Sequence, residues 1–175
     1  MKLKIAIFGL LLIGCAAEPM PEGQIIPMKS IIADARERPF ECDEYSIDDD
    51  TCTGIVERRF SGGSVFMDAK LQDRFPNTGL VSITLKTTFD VRETSFCGDY
   101  SDVEITARAP NFLPHVTDRV VDQMERDLKG NGVGCSSYLR DTEGRVYVVS
   151  RDSSGAIQGP ADQVWFFANP KELSR

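Results

Sequence analysis

The stretch VSITLKTTFDV, residues 81–91, decides the fold of this chain. Its apolar residues stand at positions 81, 83, 85, 89 and 91, with polar residues at most positions between them. Successive side chains of a β-strand point to opposite faces, so the pattern predicts a strand with one buried and one solvated face. Residues 103–107 repeat the period with Val103, Ile105 and Ala107 and predict a further strand.

Turn-forming segments on both sides of these strands predict hairpins. Residues 54–60 and 65–69 flank Ser61–Ser64, which contains two glycines, and residues 136–140 and 145–151 flank Asp141–Gly144. Residues 163–168 predict a last, largely buried strand, whereas residues 96–100 are expected to form a turn or bulge. Short connections favour antiparallel pairing, because parallel strands need long crossovers.

Only one long helix is predicted, over residues 114–129. Its apolar side chains form one stripe: Val116, Val120, Val121, Met124 and Leu128. We expect this stripe to lie across the sheet face that carries Val81, Ile83, Leu85, Phe89 and Val91. Ser82, Thr84, Lys86 and Asp90 would then face solvent or an outer partner. A short helix is also predicted at residues 30–38, before Pro39. The predicted fold class is therefore α+β, an antiparallel sheet with one main helix packed on one face.

The length and charge of the chain limit its function further. With 175 residues it is long enough for one domain and short for two. Its 20 basic and 27 acidic residues give a net charge of -7. A nucleic-acid partner is not expected, because binding to phosphates requires a basic face.

The N-terminus carries an export signal. Lys2 and Lys4 precede an uncharged apolar run at residues 5–13, which has the size of a signal-peptide core and is too short to span a bilayer. The run leads into Leu12-Ile13-Gly14-Cys15, which resembles the lipobox of bacterial lipoproteins. The resemblance implies cleavage before Cys15 and lipid attachment, palmitate included, to this cysteine. Ordinary signal-peptidase cleavage after Ala17 is the competing interpretation.

The lipobox resemblance sets the predicted organisation and location. Residues 1–14 are the signal peptide, residues 15–29, with three prolines, are a tether, and residues 30–175 are a single domain. Removing the leader's two lysines lowers the net charge to -9. We expect the lipid to hold the domain at the cell envelope, at the outer membrane if the cell has one, with a protein partner there.

Four further cysteines predict a disulfide framework. An even number of cysteines in an exported chain favours bridges. Of the three pairings, Cys42–Cys52 and Cys97–Cys135 are preferred, because the first closes a short turn-rich segment and the second ties a strand to the region after the helix. The spacings and the single histidine do not fit a zinc site.

No catalytic, metal or cofactor motif stands out in the chain. His115 has no GxSxG serine to act on, and it is interpreted as a first-turn helix residue. The acidic run Asp48–Asp50 does not follow the EF-hand template and is interpreted as a solvated loop, with a weak calcium site as the alternative. The enzyme class stays open, with a non-enzymatic protein favoured.

Three function hypotheses follow from the sequence. The first is an envelope lipoprotein with a non-enzymatic binding or structural domain. The second is a small-ligand carrier that resembles lipocalins in its richness in strands. The third is an envelope hydrolase that uses acidic residues. The shape of the sheet should discriminate among them, since a carrier needs a cavity and a hydrolase needs a cleft with paired carboxylates.

Overall fold

The computed structural model describes residues 21–75, 79–109 and 114–174, with no side-chain description for residues 73–75, 79, 114–116 and 129–131. In this part of the chain the elements are, in order, β1 (Gly23–Ile25), α1 (Met28–Ala35), β2 (Phe40–Asp43), β3 (Thr51–Cys52), β4 (Gly54–Ser61), β5 (Ser64–Phe75), β6 (Gly79–Val91), β7 (Phe96–Asp99), a 3-10 turn (Tyr100–Asp102), β8 (Glu104–Arg108), α2 (Pro114–Asn131), β9 (Val133–Asp141), β10 (Val146–Asp152), β11 (Asp162–Phe167) and β12 (Glu172–Leu173).

Eight of these strands close into a barrel. Their order is β9-β10-β11-β2-β4-β5-β6-β7, and β7 pairs again with β9. Every neighbouring pair in the ring is antiparallel. The predicted α+β class and antiparallel pairing are confirmed. The predicted arrangement of one helix on a sheet is wrong in its simple form, because the sheet closes on itself.

The hairpin predictions are confirmed. β4 and β5 pair from Gly54↔Leu71 to Ser61↔Ser64. They are joined by Gly62 and Gly63, whose φ angles of 60° and 85° suit a tight hairpin turn. β9 and β10 pair in the same way across residues 142–145.

The barrel closes through β7, which with β2 is one of its two shortest strands. The sequence analysis predicts a turn or bulge at residues 96–100, and this prediction is wrong for Phe96–Asp99. β7 pairs with only two residues of β6 and with four of β9. Cys97 and Cys135 face each other in that second pairing and form a disulfide, with their Cα atoms 4.1 Å apart. The predicted Cys97–Cys135 bridge is therefore confirmed, and it joins the two strands at the seam of the barrel.

Two strands extend the sheet beside this seam. β8 pairs with the first half of β6, and β1 pairs with the last residues of β9. β1 lies in the segment predicted to be a tether. The structure instead makes residues 23–29 part of the barrel, because β1 is hydrogen-bonded to β9 and both Ile26 and Met28 are buried.

Helix α1 contributes to the interior of the barrel. It begins two residues before the predicted helix and ends three residues earlier. Met28 and Ile31 are 1% and 3% exposed. They pack in one apolar cluster with side chains of the barrel strands: Val65, Met67, Phe89, Phe96, Tyr138 and Val164. Side chains of α1 and of the strands therefore occupy the barrel interior.

Helix α2 packs on the part of β6 that extends beyond β7, and on β8. Val120, Val121, Met124 and Leu128 form a second apolar cluster with side chains of these strands, among them Val81, Ile83, Leu85 and Ile105. The predicted contact is thus confirmed for Val81, Ile83 and Leu85. It is wrong for Phe89 and Val91, which lie on the same face of β6 but pack in the barrel interior. No helix in the described ranges is long and apolar enough to cross a membrane.

A third apolar cluster surrounds the disulfide Cys42–Cys52. This predicted bridge is also confirmed, with Cα atoms 5.5 Å apart. Ile55, Trp165 and Phe167 pack in this cluster. The C-terminal segment is held here as well, since β12 pairs with β3 and Lys171 Nζ lies 2.7 Å from Asp50 Oδ1.

Candidate functional site

Three of the polar side chains buried inside the barrel contact one another, and we call them the buried triad: Glu41, Arg58 and Tyr138. They come from β2, β4 and β9, at positions whose side chains point inward. The Tyr138 hydroxyl donates to Glu41 Oε2 at 2.5 Å, and Arg58 Nε lies 3.5 Å from the same oxygen. The Arg58 guanidinium also donates to the carbonyl of Arg38 at 3.2 Å and stacks on Phe166, 4.2 Å from the ring centroid.

The triad is almost completely removed from solvent. Arg58 and Tyr138 are 1% and 0% exposed. Burial raises the pKa of the Glu41 carboxyl, and the positive charge of Arg58 opposes that rise. Burial, together with the charge of Glu41, raises the pKa of Tyr138 well above its ordinary range. Through these contacts the triad links β2, β4 and β9 inside the barrel.

Acidic side chains cluster near the triad. Burial raises the pKa of Asp43, in β2, to about 7, and the charges of Glu41, Asp162 and Glu44 add to the rise. Burial and Glu44 also raise the pKa of Asp162, in β11. These carboxylates therefore destabilise one another at neutral pH. Among the described residues, no three His, Cys, Asp or Glu side chains are grouped as a metal site.

A cleft of about 520 Å³ lies between α1, the β9–β10 turn and β11, and we call it the α1 cleft. It exists because the β10–β11 ladder ends at Val146↔Val164. β11 continues to Phe167 alongside β2, so residues 165–167 have no strand on their other edge within the described ranges. The space that a longer β10 would occupy is left open.

The α1 cleft combines apolar and charged residues. Its apolar lining includes Ile26, Ile31, Val146, Val164 and Phe166. Charged residues also line it: Asp34, Arg38, Arg140, Glu143 and Arg145.

Most of these charges are already paired. Arg38 is bound to Asp34, and Arg145 NH2 lies 3.1 Å from Glu143 Oε2. Arg140 forms no ion pair with the described residues, so its charge is available to a ligand.

The sequence-predicted sites do not meet in this cleft. The two disulfides lie at the seam and in the third apolar cluster. Asp48 and Asp49 are exposed, whereas Asp50 is bound to Lys171 and to Tyr45. The side chain of His115 and the whole of Cys15 lie outside what the structure describes.

Sequence reasoning missed the buried triad and the α1 cleft. A signal for Arg58 was present, because it alternates with Val56 and Phe60 at positions that face the interior. A charged residue at a buried strand position requires a buried partner. No comparable signal marks the cleft, which arises from where two strands end.

Comparison of the chain with protein-family models, with curated proteins and with solved structures found no match. The proposed function therefore rests on the geometry of the fold and on the sequence signals.

Proposed function

We propose that this protein is a lipid-anchored, non-enzymatic binding protein of the bacterial envelope that holds a small amphipathic ligand in the α1 cleft. The observation that carries the proposal is a cleft of about 520 Å³ whose lining is partly apolar and includes Arg140, which forms no ion pair with the described residues. Pockets for small ligands commonly measure about 300–1,000 Å³, with mostly apolar walls and a few placed polar groups. The cleft has such a volume, and its lining is more polar than is common.

The two parts of the cleft indicate the chemistry of the ligand. Apolar walls favour a ligand with an apolar body, at about 25 cal/mol for each Å² removed from water. Arg140 favours an anionic group on that ligand, because its guanidinium has no carboxylate partner in the described ranges and can bind a carboxylate bidentately. A fatty-acid-like molecule has both features.

A closed barrel is compatible with the lipocalin-like alternative, but the ligand position would differ. Lipocalins hold one ligand inside the barrel. Here the interior is occupied by Met28, Ile31 and the buried triad. The proposed ligand therefore lies at the end of the barrel, beside α1.

Binding is favoured over hydrolysis for the same cleft. Asp34 and Glu143, the two acids that line it, are each held in an ion pair with an arginine. Both carboxylates of the cleft are therefore already engaged by a cation. Asp43 has a pKa of about 7 but does not line this cleft.

The membrane anchor is part of the proposal. The lipobox-like segment ends at Cys15, and β1 begins at Gly23, eight positions later. Eight extended residues reach at most about 26–29 Å, so the barrel would stay close to the membrane surface. Replacing Cys15 by serine should abolish acylation and release the protein from membranes. Continued acylation of the Cys15→Ser variant would contradict the anchor.

Ligand binding can be measured with a dansyl-labelled fatty acid. Trp165 is the only tryptophan of the chain and lines the cleft, so energy transfer from Trp165 to the dansyl group would report occupancy. Ser30→Phe should fill the cleft and weaken binding by at least about tenfold, or about 1.4 kcal/mol. Ala33→Phe is the matched control, because Ala33 is exposed on the same helix and does not line the cleft.

Arg140→Gln tests the anionic group of the ligand, with Arg36→Gln as its control. We expect weaker binding only for Arg140→Gln. No energy transfer in the parent protein, or equal losses for Ser30→Phe and Ala33→Phe, would refute the proposed function.

A further inference from the structure

A second recess lies on the outer face of the sheet, and we call it the distal groove. Its volume is about 370 Å³, and it lies over β5, β6 and β8. Seven residues line it: Asp68, Lys70, Ser82, Thr84, Lys86, Thr106 and Arg108. Three of these are cations and one is an acid, whereas the whole chain has a net charge of -7.

The strand register centres these groups on Thr84. Lys70 and Thr106 lie directly opposite Thr84 on the two neighbouring strands. Directly opposite residues of antiparallel strands have Cβ atoms about 4.5–5.5 Å apart. Lys86 follows on the same face of β6, and Arg108 lies opposite Ser82. The long cationic side chains can therefore converge above the threonine hydroxyls.

Among the described residues, the cations of the groove form no ion pair. This holds for Lys70, Lys86 and Arg108, although the ladder places Asp68 and Glu104 directly opposite Lys86 on its two sides. Three like charges in one recess repel one another unless an anion lies between them. Hydroxyl groups beside them add neutral hydrogen-bond donors for oxygen acceptors.

The groove is far from the proposed anchor. β6 runs parallel to β9, and Asp90, Cys97 and Cys135 lie at one level across β6, β7 and β9. On β6, the groove residues Ser82, Thr84 and Lys86 stand four to eight residues before Asp90. On β9, the residues that pair with β1 stand four to six residues after Cys135. At about 3.4 Å per residue, β1 and the groove are separated by roughly 27–48 Å along the strands.

We propose that the distal groove binds a ligand bearing a phosphate or carboxylate group, taken from the aqueous side of the protein. The anionic ligand neutralises Lys70, Lys86 and Arg108 and accepts hydrogen bonds from Thr84 and Thr106. The orientation away from the membrane rests on the proposed anchor, whereas the binding of the anion does not. Binding at the α1 cleft is independent of this site.

The test titrates the purified full-length protein with inorganic phosphate and with citrate, by calorimetry. The double variant Lys70→Met/Arg108→Met should weaken binding by at least about tenfold, because two of the three cations are removed. Lys29→Met/Arg92→Met is the matched control, since it removes two cations that do not line the groove. We expect the control to bind like the parent protein.

Two results would overturn the anion site. One is the absence of saturable binding of either probe to the parent protein, and the other is an equal loss in both double variants, which indicates an effect of net charge. Asp68→Asn supplies a second test, in which the affinity for phosphate should change in the opposite direction. It removes the only acid of the groove, so phosphate binding should become tighter, and weaker binding would also contradict the proposal.

Vesicles distinguish the source of the anion. The Cys15→Ser protein should not be recruited to phosphatidylglycerol vesicles through the groove. Recruitment that is lost in Lys70→Met/Arg108→Met would overturn the aqueous-side assignment. The dansyl fatty-acid assay should be unaffected by all groove variants, so failure of this site and failure of the proposed function are distinguishable.

Discussion

Replacing Asp43 by asparagine should stabilise the protein at neutral and alkaline pH. Asp43 is mostly buried in β2, and burial together with Glu41, Asp162 and Glu44 raises its pKa from 3.8 to about 7. The folded state therefore binds this proton more tightly than the unfolded state does. Deprotonation of Asp43 costs stability, and asparagine removes that cost because it has nearly the same shape and does not titrate.

The magnitude follows from the two pKa values. Well below pH 3.8 the carboxyl is protonated in both states, so it makes no difference to the free energy of unfolding. Between pKa 3.8 and about 7 the penalty increases with pH, and above pH 7 it stays constant. This difference in pKa corresponds to about 4 kcal/mol, at about 1.4 kcal/mol per pH unit. That value is an upper limit, because nearby acids titrate together with Asp43.

Urea unfolding of the parent, Asp43→Asn and Asp48→Asn proteins, at about pH 4 and about pH 8, measures the effect. Asp48 is the control, since it is exposed and lies in the loop closed by Cys42–Cys52. We expect Asp43→Asn to be the more stable protein at the higher pH and its advantage to fall below about 1 kcal/mol at the lower pH. A variant no more stable than the parent at about pH 8, or an advantage independent of pH, would refute the argument.

Three further predictions concern the stability of the domain, each measured by urea or thermal unfolding. Arg58→Met should lower the free energy of unfolding by about 3–5 kcal/mol, because it leaves Glu41 buried without its cation; removing both charges together should cost less than Arg58→Met alone. Replacing the Cys97–Cys135 bridge by alanines should lower the free energy of unfolding by about 4 kcal/mol, and replacing Cys42–Cys52 should lower it by about 3 kcal/mol, since the bridged cysteines are 38 and 10 residues apart in the sequence. A larger loss for the Cys42–Cys52 variant would contradict the loop-entropy argument. Val120→Asp should cost at least about 3 kcal/mol, because it places a carboxylate in the apolar cluster beneath α2, and an unchanged melting temperature would show that this face of α2 is not buried.

Local sequence patterns predicted those elements whose signal lies within a stretch of about twenty consecutive residues. The β4–β5 hairpin follows from alternating apolar residues around Gly62 and Gly63, and α2 follows from its apolar stripe. The hairpin and the helix are properties of neighbouring residues, so no knowledge of the distant chain is required for them. The two disulfides follow instead from the even number of cysteines in a chain for which an export signal is predicted.

Elements whose role depends on distant partners were missed. Phe96–Asp99 shows no clear alternation, and it becomes β7 because β6 and β9 pair with it on both sides. Residues 23–29 look like a proline-containing tether, yet Met28 is buried because the barrel supplies an apolar interior for it. Phe89 and Val91 share a face with Val81 on β6, but barrel closure divides that face between two clusters.

By itself, the sequence determined most of the strand and helix segments, their antiparallel pairing and the two bridges, whereas the export signal stays a prediction. Only the tertiary structure decided that the sheet closes, that Glu41, Arg58 and Tyr138 meet inside it, and that two recesses form at separate places. The physical reason is how far apart in the sequence the interacting residues lie. Turns, stripes and strand alternation are set by residues close in the chain, whereas a barrel seam and the end of a strand ladder depend on register between distant segments. That register is set by packing of the whole domain.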